Sequence, residues 1–240
     1  MEHIMLNERQ RNRSQQGGRS QTQSAGRSRY SRPQQQSSRS SAGADKQIFI
    51  DTHNQWRSRL AKGQVRDKKG RPYPKHANSQ KVTWDDGLAA HAKAFVEKCR
   101  FAHDFNELNR YREGENLACE TWQGEAHAAQ NAVKMWFQEY EQGTLADIGK
   151  TRGPVLNKPE DNKGQVMGHA TQADWAETNK VGCATAKCSQ NNPVGRGHWS
   201  LTACRYQPRG NTWNGAIFMA GPTASQCPRG TAKQADGLCA

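Results

Sequence analysis

The stretch GHATQADWAETNKVGCA, residues 168–184, sets polar side chains directly before a tryptophan and then passes into a β-like segment. His169 opens the polar part, and Trp175 follows it. The β-like segment continues as KVGCATAKC over residues 180–188, and a second one, HWSLTACRYQ, covers residues 198–207. The turn-rich SQNNPVGRG between the two predicts a pair of antiparallel strands.

Three segments that precede this stretch carry apolar residues at helical spacing. They lie at residues 45–63, 84–99 and 124–143. In the third, Glu139 stands three positions after Trp136, so its side chain is expected on the apolar face of the helix instead of in water. Helices followed by hairpin-like strands predict an α+β fold with an antiparallel sheet.

Length and hydropathy allow one domain of ordinary size with a tail. The chain has 240 residues, of which 33% are hydrophobic. That is too few for two large domains with full cores. No run of eighteen apolar residues occurs, so we expect no transmembrane segment.

The positive charge is concentrated at the start of the chain. Residues 1–47 hold nine Lys+Arg against three Asp+Glu, or +6 of the formal +13. Arg, Ser, Gln and Gly dominate there, so residues 1–45 are predicted to be a disordered basic arm. This arm is expected to be a linker or a pro-segment that is removed, or to bind an acidic surface such as a glycan or an anionic membrane. With Tyr30 as the one aromatic residue for stacking, specific nucleic-acid binding is not expected.

Seven cysteines occur, at positions 99, 119, 183, 188, 204, 227 and 239. None forms a CxxC pair, and no Cys/His set has zinc-finger spacing, so a disulfide framework is favoured over a metal cluster. The first residues lack a signal-peptide pattern, so either the numbering starts after processing or the protein is not classically secreted. The cysteines favour the first alternative, and we expect a secreted protein. Asn12 begins the one glycosylation sequon, Asn-Arg-Ser.

Several short motifs follow one another in a fixed order. They are HNQWR (53–57), WDDGLAAHAKAFVEKCRFAH (84–103), GENLA (114–118), MWFQE (135–139), GHATQADW with VGCA (168–184), and CRYQPRGN (204–211). In this order they resemble the CAP superfamily of cysteine-rich secretory proteins, venom allergens and pathogenesis-related proteins. The resemblance covers residues 47–222 and implies a disulfide-stabilised three-layer α-β-α sandwich over residues 46–222.

The resemblance also implies a central cavity lined by four polar side chains. These are His103, Glu115, Glu139 and His169. Two imidazoles and two carboxylates in one cleft are able to hold Zn²⁺ or another divalent metal, with the carboxylates orienting the rings. They are equally able to exchange protons as acid and base, or to form a hydrogen-bonded network with no further role.

The disulfide pairing follows from the same resemblance. It implies Cys99–Cys188 and Cys183–Cys204, and it likens residues 223–240 to a shortened hinge closed by Cys227–Cys239. Cys119 is then the odd cysteine. One departure from the family pattern is Asp174, a carboxylate close to His169. It is expected either to raise the proton affinity of that histidine or compete for the metal, or to point to solvent.

Three classes of function remain open. The favoured one is a secreted protein that binds a lipid, a sterol or an extracellular protein partner, because the expected cavity lacks an assembled nucleophile. The second is a metal-dependent or Cys-type hydrolase resembling a protease, although catalysis is not favoured. The third is an extracellular matrix protein cross-linked through Cys119.

Overall fold

A computed structural model describes residues 41–145, 167–212 and 215–240 of the chain. Five helices and four strands lie in these residues. The helices are α1 Ser41–Ala61, α2 Asp86–Val96, α3 Phe105–Tyr111, α4 Glu125–Gln142 and α5 Gly168–Asp174. The strands are β1 Thr83–Trp84, β2 Gly114–Thr121, β3 Lys180–Cys188 and β4 Trp199–Gln207.

The four strands form one sheet in the order β1-β3-β4-β2. β4 lies between β3 and β2 and is antiparallel to both, so that Cys204 is opposite Cys183 on one side and Asn116 on the other. The two-residue β1 pairs in parallel with β3. The expected α+β fold is confirmed, and the antiparallel sheet becomes a mixed one at its β1 edge.

Helices cover both faces of this sheet and make the expected three layers. On one face, Phe95 of α2 belongs to the cluster of buried residues that contains Leu201 and Ala203 of β4. On the other face, α1, α4 and α5 enclose a larger core that includes Trp136 and Tyr206. Because both faces are covered, β4 is buried along nearly its whole length.

The tripeptide Val181-Gly182-Cys183 joins these layers. The Val181 side chain is buried in the larger core. A Cβ atom on Gly182 would collide with the backbone of Asp85 and Ala89 at the start of α2, so glycine permits the helix to lie directly on β3. Asp85 caps that helix by accepting hydrogen bonds from the amides of residues 87 and 88 at 2.9 and 3.0 Å.

α2 ends at Val96, earlier than the predicted 84–99. Cys99 has a φ of 48°, and this left-handed turn leads the chain away from the helix. Each disulfide connects two parts of the fold, and the three pairs are Cys99–Cys188, Cys183–Cys204 and Cys227–Cys239.

The predicted arm, apart from residues 41–45, and Asn12 lie outside the described residues. The tail at residues 223–240 packs on the loop that precedes β1. The amide of Cys239 donates to the Ser79 carbonyl at 2.9 Å, and the amide of Lys81 donates to the Cys239 carbonyl at 2.8 Å. The boundaries 46–222 and 223–240 remain predictions.

A buried arginine connects α1 to the segments around α5. The guanidinium of Arg57, which is 0% exposed, donates to the Gln80 carbonyl at 2.6 and 3.0 Å. It also donates to the carbonyls of Ala173 at 2.8 Å, Trp175 at 3.0 Å and Thr178 at 3.2 Å. One planar side chain therefore satisfies four carbonyl groups from two separate parts of the chain.

Replacing Arg57 by lysine is expected to destabilise the protein by about 3–5 kcal/mol, because an ammonium group cannot reach four carbonyls and leaves several unsatisfied. Urea denaturation measures the change. Arg59→Lys is the matched control, since the Arg59 side chain is 40% exposed and pairs with Glu141 at the surface. Equal stability of the two variants would contradict this role of Arg57.

Candidate functional site

His103 lies between the end of α2 and the start of α3, and it faces the edge strand β2. Its Nδ1 is 2.7 Å from Glu115 Oε1. The Glu115 side chain is fully buried, whereas 23% of the His103 side chain is exposed. The buried carboxylate of Glu115 therefore fixes the orientation of the His103 ring at Nδ1, and part of the imidazole stays accessible to solvent.

Glu115 is itself held by a buried arginine from β4. Arg205 Nε lies 2.7 Å from Glu115 Oε2, although the N–H does not point at that oxygen. The other guanidinium nitrogens donate to Glu113 at 3.3 Å and Glu107 at 3.0 Å. Three carboxylates thus share one buried cation, which keeps negative charge next to His103.

His169 and Glu139 form a second pair of the same kind. His169 Nδ1 is 2.7 Å from Glu139 Oε1, and the amide of Ala170 donates to Glu139 Oε2 at 2.9 Å. Glu139 is 4% exposed, as its place on the apolar face of the helix predicted. The Trp136 ring stacks beside the His169 ring with 6.3 Å between centroids.

A buried polar chain joins the second pair to α1. The Asn116 amide donates to the His169 carbonyl at 2.9 Å and to the Tyr206 hydroxyl at 3.4 Å. His53 lies 2.9 Å from the same hydroxyl and 2.8 Å from the Phe49 carbonyl. Burial lowers the pKa of His53 to about 4, so this ring stays neutral and serves the framework.

The two pairs adjoin through β2, because Glu115 of one pair is followed by Asn116, which contacts the other. Beside His169 lies a cavity of about 20 Å³, large enough for roughly one water molecule. Its lining combines His169 with mainly apolar side chains: Phe101, Leu117, Ala118, Cys119, Met135 and Trp136.

The four predicted residues therefore occur as two His–Glu pairs and not as one cluster of ligands. Within the described residues, no group of three or more His, Cys, Asp or Glu side chains is placed to hold a metal ion. A carboxylate on Nδ1 favours the tautomer that donates from this atom, so Nε2 is the nitrogen with which each ring would bind a ligand.

Asp174 reaches neither His169 nor solvent, and both expectations for it were wrong. Its side chain is fully buried, with Oδ2 accepting from the Tyr140 hydroxyl at 3.0 Å and lying 3.8 Å from His76 Nε2. α5 ends at this residue and turns it into the core beside Arg57. Asp174 belongs to the framework and not to the candidate site.

Cys119 lies on β2 and takes no part in a disulfide. It is 4% exposed and packs in the same cluster as Leu117 and Leu201. A buried thiol in apolar surroundings is poorly placed for nucleophilic attack or for a bond to another chain.

Sequence reasoning missed two members of this region, Arg205 and the pair His91–Glu113. Nothing in the spacing of His91 indicates a ligand, yet its Nδ1 lies 2.7 Å from Glu113 Oε1. For Arg205 the available signal was a charged residue inside a strand that is otherwise largely apolar.

Residues 50–203 match the model of the CAP family, described as the cysteine-rich secretory protein family. This range is more than half of the chain, so the protein belongs to that family. The expected secreted localisation is confirmed by this membership. Separately, none of the helices in the described part of the chain has the length and apolarity that a membrane span needs.

Known relatives span several kinds of protein. The chain is 30% identical to peptidase inhibitor 16 of Bos taurus over 186 residues, which cover 78% of this chain and 34% of the relative. It therefore spans about a third of the length of that relative. It is 32% identical to venom allergen 5 of Brachyponera chinensis over 180 residues, with 73% and 84% covered. The solved structure "Crystal structure of NaASP2 with Zn2+" matches with a TM-score of 0.68 and 29% identity, covering 87% of this chain and 99% of that one.

The buried carboxyl of Asp174 gives a pH-dependent prediction. Burial raises its pKa from 3.8 to about 7, so the folded protein keeps a proton that the unfolded chain releases. The stability that this group contributes is present below the unfolded pKa and is lost as pH rises through the folded pKa, at about 1.4 kcal/mol per pH unit. Asp174→Asn removes this loss, so its stability relative to the wild type is expected to rise from pH 4.5 to 6.5.

Urea denaturation at several pH values in this range measures the difference. His53 has a lowered pKa and imposes the opposite slope, but it does so in both proteins and cancels in the comparison. Asp236→Asn is the control, because the pKa of Asp236 is lowered and its carboxylate stays ionised throughout. A stability difference for Asp174→Asn that stays constant with pH would refute the prediction.

Proposed function

We propose that this chain is a secreted binding protein that acts without turnover, and that His103 and His169 take a divalent cation such as Zn²⁺. One observation carries the proposal: in both rings a buried glutamate holds Nδ1 at 2.7 Å. Carboxylates in this position orient imidazoles and make Nε2 a better metal ligand.

The protein ligands of this site would be the Nε2 atoms of His103 and His169. Two neutral imidazole nitrogens suit Zn²⁺, and water or a captured molecule would complete the four ligands. A Zn²⁺ ion bound there would supply a Lewis acid for a carbonyl or carboxylate oxygen of that molecule. The glutamates keep the rings oriented, and Arg205 keeps Glu115 in place.

One observation supports binding over hydrolysis by a cysteine nucleophile. Cys119, the cysteine candidate for a nucleophile, is 4% exposed. Its burial also argues against a matrix protein cross-linked through this residue, since a thiol inside the core cannot reach another chain.

We further propose that the captured partner is an extracellular protein instead of a lipid or a sterol. The cavity beside His169 measures about 20 Å³, so an acyl chain or a sterol ring system would not fit in this cavity. By contrast, the Phe105 side chain beside His103 is 66% exposed, with 5.6 Å between the two ring centroids. An exposed aromatic side chain next to an open metal position suits a protein contact. The basic arm would add attachment to an acidic glycan or an anionic membrane surface.

Calorimetric titration of the metal-free protein with Zn²⁺ tests the metal site. We expect about one equivalent to bind to the wild type, and the His103→Ala/His169→Ala double variant to lose this binding. His127→Ala is the matched control, because His127 also pairs with a glutamate, Glu120 at 3.6 Å, but is 45% exposed on α4.

Circular dichroism checks that the double variant is folded. Zn²⁺ binding that is equal in the wild type and the double variant, or absent from both, would refute the metal proposal. Organic extraction of the purified protein tests the partner, and a retained lipid or sterol in stoichiometric amount would refute the choice of a protein.

A further inference from the structure

A third His–Glu pair repeats the geometry of the first two on a different part of the surface. His91 of α2 places Nδ1 2.7 Å from Oε1 of Glu113, the residue directly before β2. The Glu113 side chain is 2% exposed, whereas 35% of the His91 side chain is exposed. His91 is thus held by a buried carboxylate and keeps an accessible edge, as His103 and His169 do.

Ion pairs hold the glutamates behind this pair. Arg205 donates to Glu113 at 3.3 Å and to Glu107 at 3.0 Å. Lys98 donates to the second oxygen of Glu107 at 3.1 Å. These ion pairs fix Glu107 and Glu113 before any ligand arrives, so the surface above them is preorganised.

His91 opens onto a surface cleft of about 540 Å³ between α2 and α3. This volume lies within the range of small-molecule sites in proteins. Polar side chains dominate its lining, together with one tyrosine: His91, Asp104, Asn106, Glu107, Arg110 and Tyr111.

The lining mixes hydrogen-bond donors with acceptors and positive charge with negative charge. Arg110 and Asn106 supply donors, while Asp104, Glu107 and the His91 ring supply acceptors. The carboxylates of Asp104 and Glu107 would repel a negatively charged ligand, and Arg110 would repel a positively charged one. A hydroxyl group both donates and accepts, so a neutral ligand with several hydroxyl groups matches this set.

Aromatic rings border the cleft. The Tyr111 ring stacks on the His91 ring with 4.1 Å between centroids, which holds the tyrosine in place. Tyr111 lines the cleft and is 39% exposed. Rigid aromatic side chains beside planar polar groups offer an apolar surface for the C–H faces of a sugar ring.

We propose that the cleft between α2 and α3 binds an uncharged carbohydrate, with Arg110 and Asn106 donating to its hydroxyl groups and His91 accepting from them. This site is separate from the pairs of His103 and His169. It is connected to the first of them behind the surface through Arg205 and Glu115, and Asp104 of its lining directly follows His103 in the chain.

An array of neutral and sulfated oligosaccharides, probed with the full chain, tests the proposal first. Calorimetric titration with the neutral oligosaccharide that binds most strongly follows. Arg110→Ala and Asn106→Ala are each expected to weaken this binding at least tenfold. Both side chains are exposed, so the variants are expected to fold. His127→Ala is expected to bind as the wild type does, and so is the His103→Ala/His169→Ala variant.

Three results would overturn the proposal. The first is the absence of any neutral oligosaccharide above background. The second is unchanged binding in Arg110→Ala and Asn106→Ala. The third is that only sulfated oligosaccharides bind and that this binding disappears at high salt. Such binding would come from the positive charge of the chain and not from the cleft. Since the double histidine variant is expected to keep its carbohydrate binding, failure here is distinguishable from failure of the metal proposal.

Discussion

The buried guanidinium of Arg57 is the interaction on which the rest of the structure depends. It comes from α1 and satisfies carbonyl groups in the loop before β1 and in the segment that joins α5 to β3. α5 carries His169 near its start, and the segment after it leads into β3. Without Arg57 the carbonyls of residues 173, 175 and 178 would lose their buried donor, which would loosen the end of the helix that holds His169 beside Glu139.

A second buried arginine, Arg205, has the corresponding role on the other side of β2. It lies between Glu107, Glu113 and Glu115, and two of these carboxylates each hold a histidine. One cation therefore orients both His103 and His91, which face different parts of the surface. A buried cation of this kind is retained for the geometry it imposes, since ion pairs in a core add little net stability.

Local sequence patterns predicted some residues of the candidate sites and missed others. Periodicity placed Glu139 on the buried face of its helix, and the family resemblance supplied His103, Glu115 and His169. Periodicity did not distinguish a role for His91, because the residue that gives it one, Glu113, lies 22 positions along the chain. The environment of Asp174 was missed for a similar reason: Tyr140 is 34 positions away, and only the packing of α4 against α5 brings the two together.

The sequence by itself determined the helical faces and the limits of β3. These features depend on neighbouring residues and on side-chain size, which local patterns record. Tertiary structure alone decided that the polar residues form separate His–Glu pairs, that Asp174 enters the core, and that Arg57 and Arg205 anchor the layers. Each of these depends on contacts between distant segments, whose geometry is set when the helices close on both faces of the sheet.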